Sequence, residues 1–282
     1  MSGRYVSWEE AVAWLATQPD KQELVRDCYF DSSPEDAAER YSRSDEWKAI
    51  VVWLPSSPGL ALDVGAGRGI ASYALAKAGW TVVAIEPDSS NFVGRGAIQS
   101  IAQSKRLPIE VVEEFGERLP RESASFDLVL ARQVLHHARD LNVLCAEVFR
   151  VLKPGGRFIA VRDHVITSLD DLPSFLQDHP LHQLYGGEHA YQSSQYLDAL
   201  RSAGFRVEQI FRSFDSVINY APHTRDSLRN ELQRRLDRLP LGSLAGRCLY
   251  LDPILDLALA ILSRVDQRPG RLYSFICSKP WQ

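Results

Sequence analysis

What the chain lacks narrows its class before anything it contains does. Cysteine is scarce: Cys28, Cys145, Cys248 and Cys277 are the four in 282 residues, far apart and without paired spacing. That excludes a disulfide framework, fits free thiols in a reducing compartment, and leaves no His/Cys/Asp spacing that proposes a zinc or other metal site. Long apolar runs are missing too. The most apolar late stretch, Ile254 to Leu262, is short and broken by Asp256, too little to span a bilayer. Met1 to Glu10 has neither the basic start nor the apolar centre of a signal peptide. Neither sign of charge dominates: 32 basic against 36 acidic residues leave a net charge of −4, so there is no general attraction to polyphosphate. No internal repeat or low-complexity tract is present. What remains is ordinary globular composition, 45% hydrophobic and 24% charged, in a chain long enough to bury a full core without a staple. The expectation is a soluble, cytoplasmic protein with a small-molecule substrate and no nucleic-acid or membrane partner; composition leaves the oligomeric state open.

The first fifty residues read as helices, with Trp8, Ala11, Val12 and Leu15 at helical spacing and a second apolar series at Trp47, Ile50, Val51 and Leu54. Asp31-Ser32-Ser33-Pro34 is cap chemistry opening a helix over Glu35 to Tyr41. After the breaker cluster Pro55-Ser56-Ser57-Pro58-Gly59 the pattern changes. Short apolar runs predict strands at Leu60 to Val64, Thr81 to Glu86, Ile109 to Glu113, Phe126 to Ala131 and Arg157 to Arg162. Helices are predicted at Ile70 to Ala78, Ser90 to Gln103 and Leu141 to Leu152. Strand, crossover helix and strand, repeated, demand a mostly parallel sheet. His164 to Tyr191 breaks the rhythm with four of the seven histidines and with Pro173 and Pro180, and a loop this long is usually functional. A helix at Ser194 to Ala203, a strand at Phe205 to Phe211, an amphipathic helix at Arg225 to Leu239 and a last strand at Leu272 to Cys277 follow.

Leu60-Ala61-Leu62-Asp63-Val64-Gly65-Ala66-Gly67-Arg68-Gly69 runs off a strand into a helix, where a doubly wound sheet meets a nucleotide-like ligand. Gly65 and Gly67 permit positive φ and close approach of backbone to ligand. A dinucleotide fingerprint also begins G-x-G, but its third glycine belongs at position 70, which is Ile70; here the glycine falls at Gly69. Asp63, just before the turn, would repel a pyrophosphate and either hold an ammonium or order the loop.

With Asp63, Gly65, Gly67 and Gly69 the segment resembles motif I, D-x-G-x-G-x-G, of the class I S-adenosylmethionine-dependent methyltransferases. The likeness continues through Glu86 at the end of the second strand, Glu114-Phe115-Gly116-Glu117-Arg118-Leu119-Pro120, Ser125-Phe126-Asp127-Leu128-Val129 and Val151-Leu152-Lys153-Pro154-Gly155-Gly156-Arg157-Phe158, covering about Gly59 to Phe214. It implies S-adenosyl-L-methionine as cofactor, held by Asp63, Gly65, Ala66, Gly67, Gly69, Glu86, Pro87, Phe115, Gly116 and Arg132. Glu86 would accept both ribose hydroxyls, since one carboxylate offers two acceptors in a plane. Many relatives carry Asp where this chain has Phe115, which would instead stack or pack against the adenine. The implied fold is α/β: a Rossmann-like doubly wound, seven-stranded, mostly parallel sheet. Residues 1–57 form a helical cap, and 58–282 the methyltransferase domain, with inserts at about 164–191 and 216–270, after strands five and six.

The acceptor belongs beyond the carboxyl ends of strands four and five. There His136, His137 and His164 are candidate bases for an acceptor that must lose a proton, and Gln133, Arg162, Tyr185 and His189 candidate substrate contacts. Adjacent His136 and His137 are not expected both to point inward. Arg132 would meet the cofactor's methionine end, an anionic acceptor or a neighbouring carboxylate. The strand-four terminus Leu130-Ala131-Arg132-Gln133 lacks the Asn/Asp-Pro-Pro-Tyr of amino-directed nucleic-acid methyltransferases, and Arg132 stands where magnesium-dependent catechol enzymes need an acid. The expected activity is methylation of a small molecule, foremost at a sugar or natural-product hydroxyl. The competing readings are N- or C-methylation, a nicotinamide-dependent oxidoreductase and a non-catalytic binding module.

Overall fold

A computed structural model describes residues 5–238 and 246–281. The N-terminal segment is helical, with α1 (Trp8–Thr17), α2 (Gln22–Asp27), α3 (Pro34–Ser42) and α4 (Asp45–Val51). Serines open three of them: Ser7, Ser33 and Ser44 each accept a backbone N–H of the first turn, which satisfies one of the donors a helix start leaves bare.

The α/β rhythm then begins with β1 (Leu60–Val64), α5 (Ile70–Lys77), β2 (Thr81–Ile85), α6 (Arg95–Lys105), β3 (Ile109–Val112), β4 (Phe126–Arg132), α7 (Leu141–Val151) and β5 (Leu152–Ile166). Two predicted starts move by five residues, and β5 also runs four residues past the predicted Arg162, to Ile166. Helix α6 starts at Arg95 instead of Ser90, because Asp88 and Ser90 take the backbone N–H groups of Ser90, Phe92 and Val93 into tight turns. Strand β5 starts five residues before Arg157, since Leu152 already pairs with Phe126 across a register shift. Gly155 in that stretch has φ +78°, the turn conformation its Pro-Gly sequence predicts.

The second half adds α8 (Leu172–Asp178), α9 (His182–Tyr185), β6 (Tyr191–Gln192), α10 (Ser193–Ser202), β7 (Arg206–Phe211), α11 (Val217–Tyr220), α12 (Arg225–Leu236), α13 (Asp252–Val265) and β8 (Arg271–Ser278). Pro173 opens α8 from its first turn rather than breaking a helix. Leu239, at the predicted end of α12, lies outside the described residues. No helix among the described residues is long and apolar enough to cross a membrane.

The sheet order is β3-β2-β1-β4-β5-β8-β7, parallel except for β8, and the two-residue β6 adds an eighth strand beside β5. Successive strand residues face opposite sides. Leu62, Val129, Phe158 and Phe275 pack toward α7 and α10, while Ala61, Leu128, Ile159 and Ile276 meet the α3–α5 side with Tyr41, Trp47 and Leu75. The result is three layers, helix, sheet and helix. The strand order reverses between β1 and β4, so the loops leaving their carboxyl ends part and open a cleft.

Candidate active site

The cleft is a cavity of about 480 Å³ beyond the ends of β1, β2, β4 and β5, within the roughly 300–1,000 Å³ of small-ligand sites. One wall is the glycine loop. Gly65 (φ +60°) and Gly67 (φ +53°) take the left-handed conformation. A Cβ on Gly65 would lie 2.8 Å from Val134 Cγ2, whereas one on Gly67 would meet only the Val93 carbonyl oxygen, at 4.0 Å. Gly69, at φ +84°, starts α5 and turns its bare Cα against Ile98; it does not line the cavity, so its part is packing the two helices.

Two buried carboxylates stand behind this loop. Asp63 Oδ2 accepts from Ser72 Oγ at 2.6 Å, and burial pushes its pKa up to about 7. Glu86 accepts from the backbone N–H of Gly67 at 2.6 Å and of Asp88 at 2.9 Å, and burial raises its pKa as well. Pro87, Phe115 and Gly116 continue the wall. Phe115 is half exposed with the Arg139 guanidinium 4.8 Å from its ring, and Gly116 admits Leu144 and Val64 where a Cβ would stand.

Arg132 does touch the cavity, but its charge is spent. It grips Glu46 of α4 through Nε at 2.7 Å and a second nitrogen at 3.1 Å, and gives a third bond to Gln133. Burial opposes its charge, yet the Glu46 carboxylate outweighs this and raises the guanidinium pKa. Burial alone would raise Glu46; Arg132 and Arg162 reverse that and hold it below the ordinary range. Arg68, inside the glycine loop, reaches the carbonyls of Tyr29 and Ser32. The N-terminal helices are thus fastened to the sheet by two arginines at the mouths of β1 and β4. Arg162 points away, donating to the carbonyls of Ile218 and Ala221 around α11, and does not line the cavity.

The opposite wall collects histidines. His136 is fully buried, and its Nδ1 lies 2.9 Å from Asp163 Oδ1, which also accepts its backbone N–H. Burial pushes Asp163 up to about 8 and His136 well below the usual imidazole range. His137 points inward too, contrary to expectation. A short 3₁₀ turn at Leu135–His137 stacks its ring 4.1 Å from that of His136, while its Nδ1 meets Gly187 O at 2.9 Å. His164 Nδ1 meets Gly270 O at 2.7 Å, and burial lowers its pKa to about 4. Tyr185 donates to Glu188 Oε1 at 2.5 Å. His189 stays outside the cavity, its ring on Tyr191. Sequence reasoning missed Glu188, His179 and the anchors Arg68 and Glu46. The position of Glu188 between Tyr185 and His189 was a signal only once the insert was known to fold back over β4.

Comparison with known proteins finds likenesses over the part of the chain that builds this geometry. Residues 62–160, from β1 into β5, match the family model described as a methyltransferase domain. Over 121 residues the chain is 33% identical to the ubiquinone/menaquinone biosynthesis C-methyltransferase UbiE of Brucella anthropi, covering 41% of this chain and 46% of that protein. Over 131 residues it is 26% identical to the ubiquinone biosynthesis O-methyltransferase of Rhizobium etli, covering 46% and 52%. The chain therefore spans about half the length of the curated relatives it matches. Its fold is similar to geranyl diphosphate C-methyltransferase from Streptomyces coelicolor, solved with Mg²⁺, geranyl-S-thiolodiphosphate and S-adenosyl-L-homocysteine, at TM-score 0.58 and 15% identity over 82% of this chain and 74% of that one. Residues 62–160 are thus similar to a methyltransferase domain, and the fold around them is similar to that of solved methyltransferases.

Proposed function

We propose that this protein transfers a methyl group from S-adenosylmethionine to a small-molecule acceptor, foremost at a hydroxyl of a sugar or natural product. The observation that carries this reading is the meeting, in one cavity, of a buried acid at the end of β2 that bonds the glycine loop with a histidine held by a buried acid at the end of β5.

The residues present fit the cofactor: the room beside Gly67 admits a ligand edge, and Glu86 offers two carboxylate oxygens to a diol. Asp63, Gly65, Ala66, Gly67, Glu86, Pro87, Phe115 and Gly116 would hold it, Gly69 contributing through helix packing and Arg132 through the Glu46 anchor. When bound, the cofactor supplies a methyl on a cationic sulfur, whose in-line displacement depends on alignment and exclusion of water. This chain's residues supply the rest. His136 takes the acceptor's proton at Nε2, and Asp163 Oδ1 orients the ring at Nδ1. His137 and His164 shape the pocket beside it; Gln133 and Tyr185 are the acceptor contacts. The N-terminal helices, which Arg68 and Arg132 tie down, and the 164–191 insert act as the cap of the 58–282 domain, while none of the described residues of the 216–270 insert lines the cavity.

Incubating the protein with labelled cofactor and fractionated metabolites, and identifying the labelled product by mass spectrometry, tests the reading. A methyl ether or methylated enol supports it. Saturable cofactor binding without any labelled product across the screen overturns it in favour of a binding module.

A further inference from the structure

The wall facing the glycine loop holds more ligating atoms than one base needs. Side-chain donor atoms of His136, His164 and Glu188 all lie within 4.8 Å of one another, with His136 Nε2 3.7 Å from Glu188 Oε2. His179 Nε2 comes within 3.8 Å of the other Glu188 oxygen. Each member is aimed by a partner behind it. The Gly270 carbonyl can only accept, so His164 carries its proton on Nδ1 and leaves Nε2 as a lone pair. Asp163 Oδ1 already accepts the His136 backbone N–H and accepts from His136 Nδ1 beside it, and Tyr185 fixes Glu188 Oε1. Glu188 is 7% exposed, and its Oε2 has no hydrogen-bond partner, a costly state for a buried carboxylate oxygen unless something cationic completes it.

We propose that His136 Nε2, His164 Nε2 and Glu188 Oε2 form a binding site for one divalent transition-metal ion. Two imidazoles and a carboxylate, each braced by an outer hydrogen bond, are the donor set of zinc, cobalt and ferrous iron; magnesium and calcium want oxygen throughout. Bonds of about 2.0–2.2 Å need the donors to draw in to roughly 3.3 Å apart from separations of up to 4.8 Å. The positions not taken by protein open into the cavity.

The site stands apart from the methyl-transfer reading; only its consequence for turnover rests on that reading. The lone pair of His136 Nε2 holds either a metal or a proton. A bound ion therefore silences the base, and the metal-loaded protein is the resting form.

Untagged protein, stripped with chelator and titrated with cobalt(II), tests the site without any turnover. The expected result is visible d–d absorption of a tetrahedral or five-coordinate complex, saturating at one equivalent. Glu188→Gln weakens it at least tenfold, His164→Ala abolishes it, and His223→Ala, outside the cavity, leaves it intact. Thermal melts confirm that each variant is folded. No stoichiometric absorption in wild type, or equal absorption in Glu188→Gln, overturns the site and leaves the methyl-transfer reading untouched. Once an acceptor is known, stoichiometric zinc that slows turnover supports the resting-form consequence, and zinc that accelerates it overturns both that consequence and His136 as base.

Discussion

The two walls of the cavity are built by opposite means. The glycine-loop wall comes from one stretch of chain, Asp63 to Gly69, joined by Glu86 one crossover later, and its bonds are mostly to backbone N–H groups. The histidine wall draws on the turn after β4, the end of β5, the α9–β6 insert and the turn before β8, and its bonds join residues remote in sequence. The first is a local device that any strand-loop-helix can carry; the second exists only when four segments arrive together. Recognition of a cofactor suits the first kind of construction, and the particular chemistry of an acceptor suits the second.

Substitutions at the histidine wall should separate the two walls most sharply. His136→Ala lowers kcat by about 10²–10⁴, the usual worth of a positioned base, while calorimetry shows affinity for S-adenosylhomocysteine unchanged within about twofold. An equal fall in that affinity would mean the walls are one unit. Next comes the bond tying the cap to both. Glu46→Ala strands buried Arg132 and Arg162 without their carboxylate and lowers the unfolding free energy by about 3–5 kcal/mol, the usual result of breaking a buried pair. Urea denaturation measures this, and a loss under about 1 kcal/mol would show the anchor to be dispensable.

At the glycine-loop wall the effect is on binding alone. Glu86→Ala and Asp63→Ala each weaken S-adenosylhomocysteine at least tenfold, about 1.4 kcal/mol, with kcat at saturating cofactor nearly unchanged; unaltered calorimetric affinity would remove both residues from the cofactor site. The smallest effect is on stability. Asp63 titrates at about 7 in the fold against 3.8 in its ordinary state, so the native state holds its proton more tightly than the unfolded chain. Its contribution is fully present below about pH 4 and is lost as the pH rises through about 7. Asp63→Asn matches wild type at pH 4 and melts at least about 3 °C higher at pH 8, the shift expected from about 1 kcal/mol in a chain of this size. Parallel melting curves across that range would place Asp63 in a more polar setting.

The order of strands and helices from β1 to β5 was legible from residue pattern alone, because period and turn chemistry are local, whereas α8, α9, α11 and α13 were not predicted. Leu60 to Val64 and Ile70 to Ala78 fall within a residue of the observed β1 and α5. Errors came where side chains competed with the regular pattern, as when Asp88 and Ser90 delayed α6. Arg132 was legible as a residue at the site but not in its commitment to Glu46, 86 residues earlier. His136 and His137 were legible as candidates, while their shared inward orientation awaited a 3₁₀ turn that apolar spacing does not encode.

By itself, then, the order of residues determined the doubly wound sheet, the glycine loop and the acid that closes the second strand, since each depends on neighbours within one supersecondary unit. Tertiary structure alone decided that Arg132 and Arg68 are fasteners, that Arg162 and His189 face elsewhere, and that Glu188 joins His136 and His164. Burial and orientation of a side chain depend on which distant segments surround it, and no local period carries that information.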